Sequence, residues 1–285
     1  MTVRKATGIP VLLSQLISRP SNRSEFLLQC LSQNGYAIIS IDRPDVLNGI
    51  QDGLKEASAL SGFRFPDVAK GNIQYNEASR RCFKSLFDVA TTVFCSIIKS
   101  THTAKERPLP KSIQRSIAHV EDLRSKGCDP STYLFQSDPN SPFGNDDNSD
   151  LFSSTFFNLF NYNNGMLNAH KDRGLVTVIA SRLPSNNTLV QPKRRRSALW
   201  MEHPHISGRW VDLDSQLCDN QVLVFMGEAG QSLFGGLPAC RHTVRVDPTG
   251  EYVAHSHFRH DPESHPELNR VSVAMILNQE ENESN

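Results

Sequence analysis

Two residue types that bind first-row transition metals stand two apart in Asn168-Ala169-His170-Lys171-Asp172-Arg173-Gly174, and an apolar run, Leu175 to Ala180, follows at once. On an extended backbone alternate side chains share a face, so His170 and Asp172 can turn toward one point while Lys171 turns away. One imidazole and one carboxylate are two of the three ligands of a 2-His-1-carboxylate iron site. The third must be a histidine brought in by a distant strand.

The chain has 10 histidines, and His119-Val120-Glu121 and His265-Pro266-Glu267 repeat the same short pattern. Context separates them. His119 lies in a predicted helix, where positions i and i+2 diverge, and His265 lies among prolines and charges. Only His170 opens onto a buried strand. For the third ligand the best placed is His242, in Cys240-Arg241-His242-Thr243-Val244-Arg245-Val246. His242, Val244 and Val246 share one strand face, and Arg241, Thr243 and Arg245 are expected to face out. Taken by itself, that strand fits a hydrogen-bonded core histidine better than a ligand. Farther on, Arg270-Val271-Ser272 sets a guanidinium and a hydroxyl on one face of an apolar strand. Such a pair can hold a carboxylate bidentately with an added hydrogen bond, and a buried arginine needs an anionic partner.

The elements that must position these groups fall into two halves. Up to residue 136 the pattern is helical: a short strand near Pro10 to Leu13, a helix over Glu25 to Gln33 capped by Ser21 or Asn22 and ended by Gly35, and a strand from Tyr36 to Ile41. Pro44 opens a helix to about Leu60. A long amphipathic helix follows from Asn76 to Lys99, with Phe83, Leu86, Phe87, Val93, Phe94, Ile97 and Ile98 as its stripe, then another over Ile113 to Lys126. Residues 137–153 are a polar, Asp/Asn/Ser/Pro/Gly-rich loop. From 154 to 279 the chain reads as eight short strands: Ser154 to Tyr162, Gly174 to Ser181, Ala198 to Met201, Arg209 to Leu213, Gln221 to Met226, Ala239 to Val246, Tyr252 to Phe258 and Arg270 to Leu277. Eight strands behind a helical half suggest a mainly β fold with α, a double-stranded β-helix or jelly-roll core flanked by N-terminal helices. Residues 280–285 are a polar tail.

Composition limits the setting. The 285 residues are 38% hydrophobic and 21% charged with zero formal net charge, enough for a large core and without the global field that attracts nucleic acid or anionic membrane. The cysteines, Cys30, Cys82, Cys95, Cys128, Cys218 and Cys240, show no C-x-x-C spacing and fit reduced thiols in the cytoplasm. No apolar run is long enough to span a bilayer. Nothing before Glu25 is acidic while Arg4, Lys5, Arg19 and Arg23 sit among serines, which gives a mitochondrial transit peptide as the alternative. Lys193-Arg194-Arg195-Arg196 reads as a solvated loop, with a nuclear signal or an acidic-substrate site as alternatives.

His170-x-Asp172, His242 and Arg270-x-Ser272, in that order, resemble the isopenicillin N synthase-like family of Fe(II)/2-oxoglutarate-dependent dioxygenases. Gly208-Arg209-Trp210-Val211-Asp212 is similar to a Gly-x-Trp-Val-Asp segment of plant members, and Asn220 to Glu228 to their Gly-Ala-Leu-Val-Val-Asn-x-Gly-Asp strand. Asn34-Gly35-Tyr36-Ala37 is similar to the Gly-Phe-Phe segment behind the family's first helix, so the likeness runs over about residues 8–279. Two departures stand out. Where relatives carry Asn-Tyr-Tyr, this chain has Asn161-Tyr162-Asn163, and an asparagine can also donate to a carboxylate. Between His242 and Arg270 residues 252–269 intrude with His255, His257, His260 and His265, either as a lid or as a surface hairpin.

The resemblance implies an oxidoreductase with His170, Asp172 and His242 as iron ligands and Arg270, Ser272, Tyr162 and Asn163 holding 2-oxoglutarate. Dioxygen would be the second cosubstrate, succinate and CO2 products, and a small molecule the species oxidised, by hydroxylation, desaturation or ring closure. No nucleic-acid or membrane partner is expected. Phe160, Tyr162 and Thr177 are candidate pocket walls. Two other classes remain open on the residues: an iron oxidase that uses no 2-oxoglutarate, and a non-catalytic jelly-roll binding protein.

Overall fold

The computed structural model describes residues 10–18, 20–60, 63–64, 77–101, 109–128, 131, 155–162, 167–182, 198–245 and 270–277. The polar loop 137–153, Asn163, the basic run 193–196, the expected strand Tyr252 to Phe258, the rest of the 252–269 segment and the tail 280–285 lie outside the described residues.

The first part of the chain runs β1 (Val11–Leu12), α1 (Leu13–Ser18), α2 (Pro20–Asn34), β2 (Tyr36–Ser40), α3 (Pro44–Ser58), β3 (Phe63–Arg64), α4 (Glu77–Thr101) and α5 (Lys111–Ser125). Pro20 and Pro44 occupy first helical positions, where their fixed φ suits the helix and no N–H is missed. The α2 start therefore precedes the expected caps, Ser21 and Asn22, which fall inside its first turn. Gly35 ends that helix at φ 81°, a conformation L side chains rarely adopt, and a Cβ there would lie 2.2 Å from the Cys240 sulfur.

The second part runs β4 (Phe156–Tyr162), β5 (Leu167–His170), β6 (Val176–Arg182), β7 (Ala198–Glu202), β8 (Trp210–Asp212), a 3-10 turn (Asp214–Gln216), β9 (Gln221–Met226), α6 (Glu228–Phe234), β10 (His242–Arg245) and β11 (Arg270–Leu277). A seven-stranded sheet has the order β1-β2-β9-β6-β11-β4-β3, and a four-stranded sheet the order β5-β10-β7-β8. All pairings are antiparallel except β1 with β2.

Strand alternation sorts the large sheet into two faces. Val176 and Val178 of β6, Val222 and Val224 of β9, and Val271, Val273 and Met275 of β11 pack against the helices, where all seven stripe residues of α4 are buried. Their alternate neighbours, Ile179, Leu223, Phe225 and Ala274, pack instead against Leu199, Met201 and Val244 of the small sheet. Each of these buried Val, Leu, Ile, Phe and Met side chains contributes about 1.5–3 kcal/mol relative to exposure, so a one-residue slip of any strand would be costly. The polar residues of the inner face, Thr177, Arg270 and Ser272, are thereby delivered into the space between the sheets.

Four of these elements were not expected from the sequence, α1, β3, β5 and α6, and neither was the 3-10 turn. Thr243 is a correction, because its hydroxyl donates to the Leu167 carbonyl at 2.6 Å and the residue is buried, not outward facing. No helix among the described residues is long and apolar enough to cross a membrane.

Candidate metal centre and its cavity

Strand pairing itself joins the two histidines. β5 ends on His170, β10 begins on His242, and the antiparallel register sets these residues directly opposite each other. Their ring centroids are 4.4 Å apart. Two residues beyond His170 the buried Asp172 turns back between them, its Oδ1 lying 3.4 Å from His170 Nε2 and 3.5 Å from His242 Nε2. Among the described residues these three form a group of ligand atoms all within 4.8 Å of one another.

Hydrogen bonds fix the donor atoms of Asp172 and His170. Thr177 Oγ1 donates to Asp172 Oδ2 at 2.5 Å, so Oδ1 is the oxygen left facing the histidines. His170 Nδ1 donates to the Asn168 carbonyl at 2.7 Å, which assigns the free lone pair to Nε2. His242 packs against the Phe225 ring at a centroid distance of 4.8 Å. The backbone of Asp172 is held as well: the N–H of Glu228, at the start of α6, donates to its carbonyl at 2.8 Å. Gly227 makes that approach feasible, since a Cβ there would lie 2.1 Å from the Gly174 carbonyl oxygen and 2.9 Å from that of Asp172.

The electrostatics suit a cation. Burial opposes charge on Asp172, but His170, His242 and Thr177 outweigh it and hold the carboxyl below its ordinary value. Burial also pushes His242 down, keeping it neutral, while the hydrogen bond to Asp172 raises His170. A neutral imidazole and an ionised carboxylate are the states that ligate metal. His170 is then the group whose proton a cation must displace.

The expected carboxylate-binding residues line the same cavity. Its volume is about 260 Å³, and His170, Asp172 and His242 share its walls with Tyr162, Arg270 and Ser272. Arg270 sits opposite Tyr162 across the β11–β4 pairing, its guanidinium 5.2 Å from the Tyr162 ring centre, and Nη1 donates to Ser272 Oγ at 2.9 Å. Phe160 and Thr177 are wall residues too, as expected. Asn163 lies outside the described residues.

The anionic partner that a buried arginine requires is Asp214, which no motif in the sequence marks. Arg270 Nε donates to its Oδ2 at 2.6 Å and Nη2 to its Oδ1 at 3.2 Å. Asp214 also accepts from Ser181 Oγ and from the Leu199 backbone N–H, each at 2.8 Å. Burial works against its charge, yet Arg270 and these donors keep the carboxyl below its ordinary value. The available signal was the demand of Arg270 itself for an acid, but nothing in the spacing says which of many acids answers it.

A larger groove of about 520 Å³ lies on the helical side, where its charges pair with one another: Asp88 takes Arg43 at 2.6 Å and Arg124 at 3.0 Å.

No protein-family model and no curated protein matches the chain. Among solved structures, it is similar to full-length T7H from Neurospora crassa in complex with alpha-KG, at 12% identity and a TM-score of 0.44 over 94% of this chain and 84% of that one. It is similar to dioxygenase for auxin oxidation 1 from Arabidopsis thaliana in its 2-oxoglutarate complex, at 14% identity and a TM-score of 0.43 over 96% and 93% of the two chains. JOX2 in complex with 2OG, Fe and JA gives 9% identity and a TM-score of 0.49 over 95% and 75%. At such identities and scores the likeness carries no argument for function. What stands on the chain's own residues is a two-histidine, one-carboxylate group fit for a divalent transition metal, sharing a cavity with an arginine and a serine fit for a carboxylate.

Proposed function

We propose that this protein is an Fe(II)- and 2-oxoglutarate-dependent oxygenase of the isopenicillin N synthase-like family, with the two facing sheets as its double-stranded β-helix core. The observation that carries the reading is the convergence of His170, Asp172 and His242 on the cavity that Arg270 and Ser272 also line. The donor set, two imidazole nitrogens and one carboxylate oxygen, is of the kind that would hold Fe(II). When bound there, Fe(II) couples the decarboxylation of 2-oxoglutarate to succinate and CO2 with oxidation of a substrate by dioxygen.

The chain's own residues have distinct parts to play. His170, Asp172 and His242 hold the metal. Arg270, Ser272 and Tyr162, with Asn163 next to Tyr162 in sequence, would hold the distal carboxylate of 2-oxoglutarate through hydrogen bonds. Phe160, Ile179, Leu199 and Val244 give the cavity apolar walls that exclude water. A cavity of about 260 Å³ is small among ligand sites and supports a small molecule as the species oxidised, with hydroxylation the expected outcome.

Protein prepared without oxygen should bind close to one Fe(II) per chain and release succinate when 2-oxoglutarate and air are added. His242→Ala should lose both properties; Arg270→Ala should keep the iron and lose succinate formation. Absence of stoichiometric iron would leave the binding-protein reading in its place. One observation favours a second reading, an iron oxidase without 2-oxoglutarate: Asp214 already occupies one edge of Arg270. That reading requires bound iron and no response to 2-oxoglutarate.

A further inference from the structure

Asp214 is buried, has its hydrogen bonds to Arg270, Ser181 and Leu199 rather than to the three metal-binding side chains, and takes up part of the group assigned to the cosubstrate. A guanidinium has five N–H donors, arranged as a fork along its side and a fork across its end. Asp214 occupies the side fork through Nε and Nη2, and Ser272 accepts a third hydrogen, from Nη1. One hydrogen on each terminal nitrogen is left for a ligand. Donors therefore remain, but the positive charge behind them is already paired.

Nor can Asp214 swing aside when an anion arrives. The Leu199 N–H of β7 and the Ser181 hydroxyl of β6 hold its carboxylate from the two sheets, at 2.8 Å each. A ligand carboxylate docking on Arg270 thus meets a fixed like charge on the far side of the same guanidinium.

We infer that Asp214 is a specificity-determining residue: it neutralises Arg270 so that the cavity recognises the tail of a 2-oxo acid by hydrogen bonding, with little preference for a second negative charge. The inference rests on the 2-oxoglutarate-dependent reading above and extends it to 2-oxo acids with uncharged tails.

The Asp214→Asn variant isolates the charge. Its amide oxygen can still accept from Leu199 N–H and Arg270 Nε, and its amide nitrogen can donate to Ser181 Oγ, so only the Nη2 contact is lost. Calorimetric titration of anaerobic Fe(II)-loaded protein with 2-oxoglutarate and with 2-oxobutanoate, whose tail is uncharged, reads the effect. In the wild type the two dissociation constants should lie within about tenfold of each other. In Asp214→Asn the affinity for 2-oxoglutarate should rise about tenfold or more, the scale of an unpaired charge several ångströms away at an intermediate dielectric, while 2-oxobutanoate stays where it was. Ser181→Ala, which removes a hydrogen bond to Asp214 and keeps its charge, should leave the ratio unchanged.

A purely structural clamp would weaken both ligands together in Asp214→Asn, and that result overturns the inference while the cosubstrate reading survives. If Asp214→Asn does not fold, the wild-type ratio still decides, because a preference of a thousandfold or more for 2-oxoglutarate contradicts a neutralised arginine. Failure of the iron-loaded wild type to bind either acid overturns the cosubstrate reading and this inference with it.

Discussion

Thr177 decides which oxygen of Asp172 faces the two histidines. Thr177→Val leaves Oδ2 buried without its donor, an omission that costs about 1–3 kcal/mol. Metal affinity should fall on the order of tenfold, the usual effect of losing a group that orients a ligand, and Thr177→Ser should restore it. A Co(II) titration followed by its visible bands measures this. Protons compete at the same site. The hydrogen bond to Asp172 raises His170 above its ordinary 6.5, so protons compete with a cation for it, and metal affinity should climb as pH rises above 6.5. In the metal-free protein the sign is opposite: stabilisation from protonated His170 is fully present below about pH 6.5, the unfolded value, and is lost as pH rises through the raised folded one. Urea unfolding with and without metal at several pH values separates the two trends. His170 and Asp172 stand out through their His-x-Asp spacing just before an apolar run, and His242 through the face it shares with Val244, although Asp172 itself lies past the end of β5. Asp214 was not legible, because its partner Arg270 stands far along the chain and only the folded sheets bring them together.

The segment α6 shows how an element can matter without carrying a ligand. Its first turn bonds to the carbonyls of Asp172, Arg173 and Gly174, so the path of the chain through Asp172 is set by the β9–α6 corner. Gly227→Ala would force a Cβ to within 2.1 Å of the Gly174 oxygen, and backbone rather than a flexible side chain must give way. The expected result is a loss of about 1–3 kcal/mol in stability together with weaker metal binding. Gly236→Ala is the control, since its Cβ would meet nothing within 4 Å. Thermal unfolding and metal titration of both variants check this. From the sequence, Gly227-Glu228 reads as the end of a strand motif, and no apolar periodicity announces a seven-residue helix. β5 escaped for a similar reason: four residues, Leu-Asn-Ala-His, contain no Val, Ile, Thr, Phe, Tyr or Trp to mark a strand. The long α4, with its unbroken apolar stripe, was legible to within two residues at either end.

Across the whole molecule, one large sheet serves two cores, a wide one under the helices and a smaller one facing the four-stranded sheet. The alternation that makes strands legible also explains this division, since odd and even positions of β6, β9 and β11 each find a partner layer. Asp214 and Arg270 tie the layers across the smaller core, buried and bonded to each other at 2.6 Å. Asp214→Ala would leave the guanidinium buried without its counter-charge, which costs about 3–5 kcal/mol in urea unfolding. The pair also sets an acid limit. Because Asp214 is held below its ordinary value, its contribution is present above about pH 3.9, the unfolded value, and is lost as pH falls through the lower folded one. The central claim, that iron and 2-oxoglutarate meet in one cavity, is tested most directly by titrating anaerobic Fe(II)-loaded protein with 2-oxoglutarate and recording the visible spectrum. Growth and saturation of a metal-to-ligand charge-transfer band is the expected result; bound iron with no such band would contradict it.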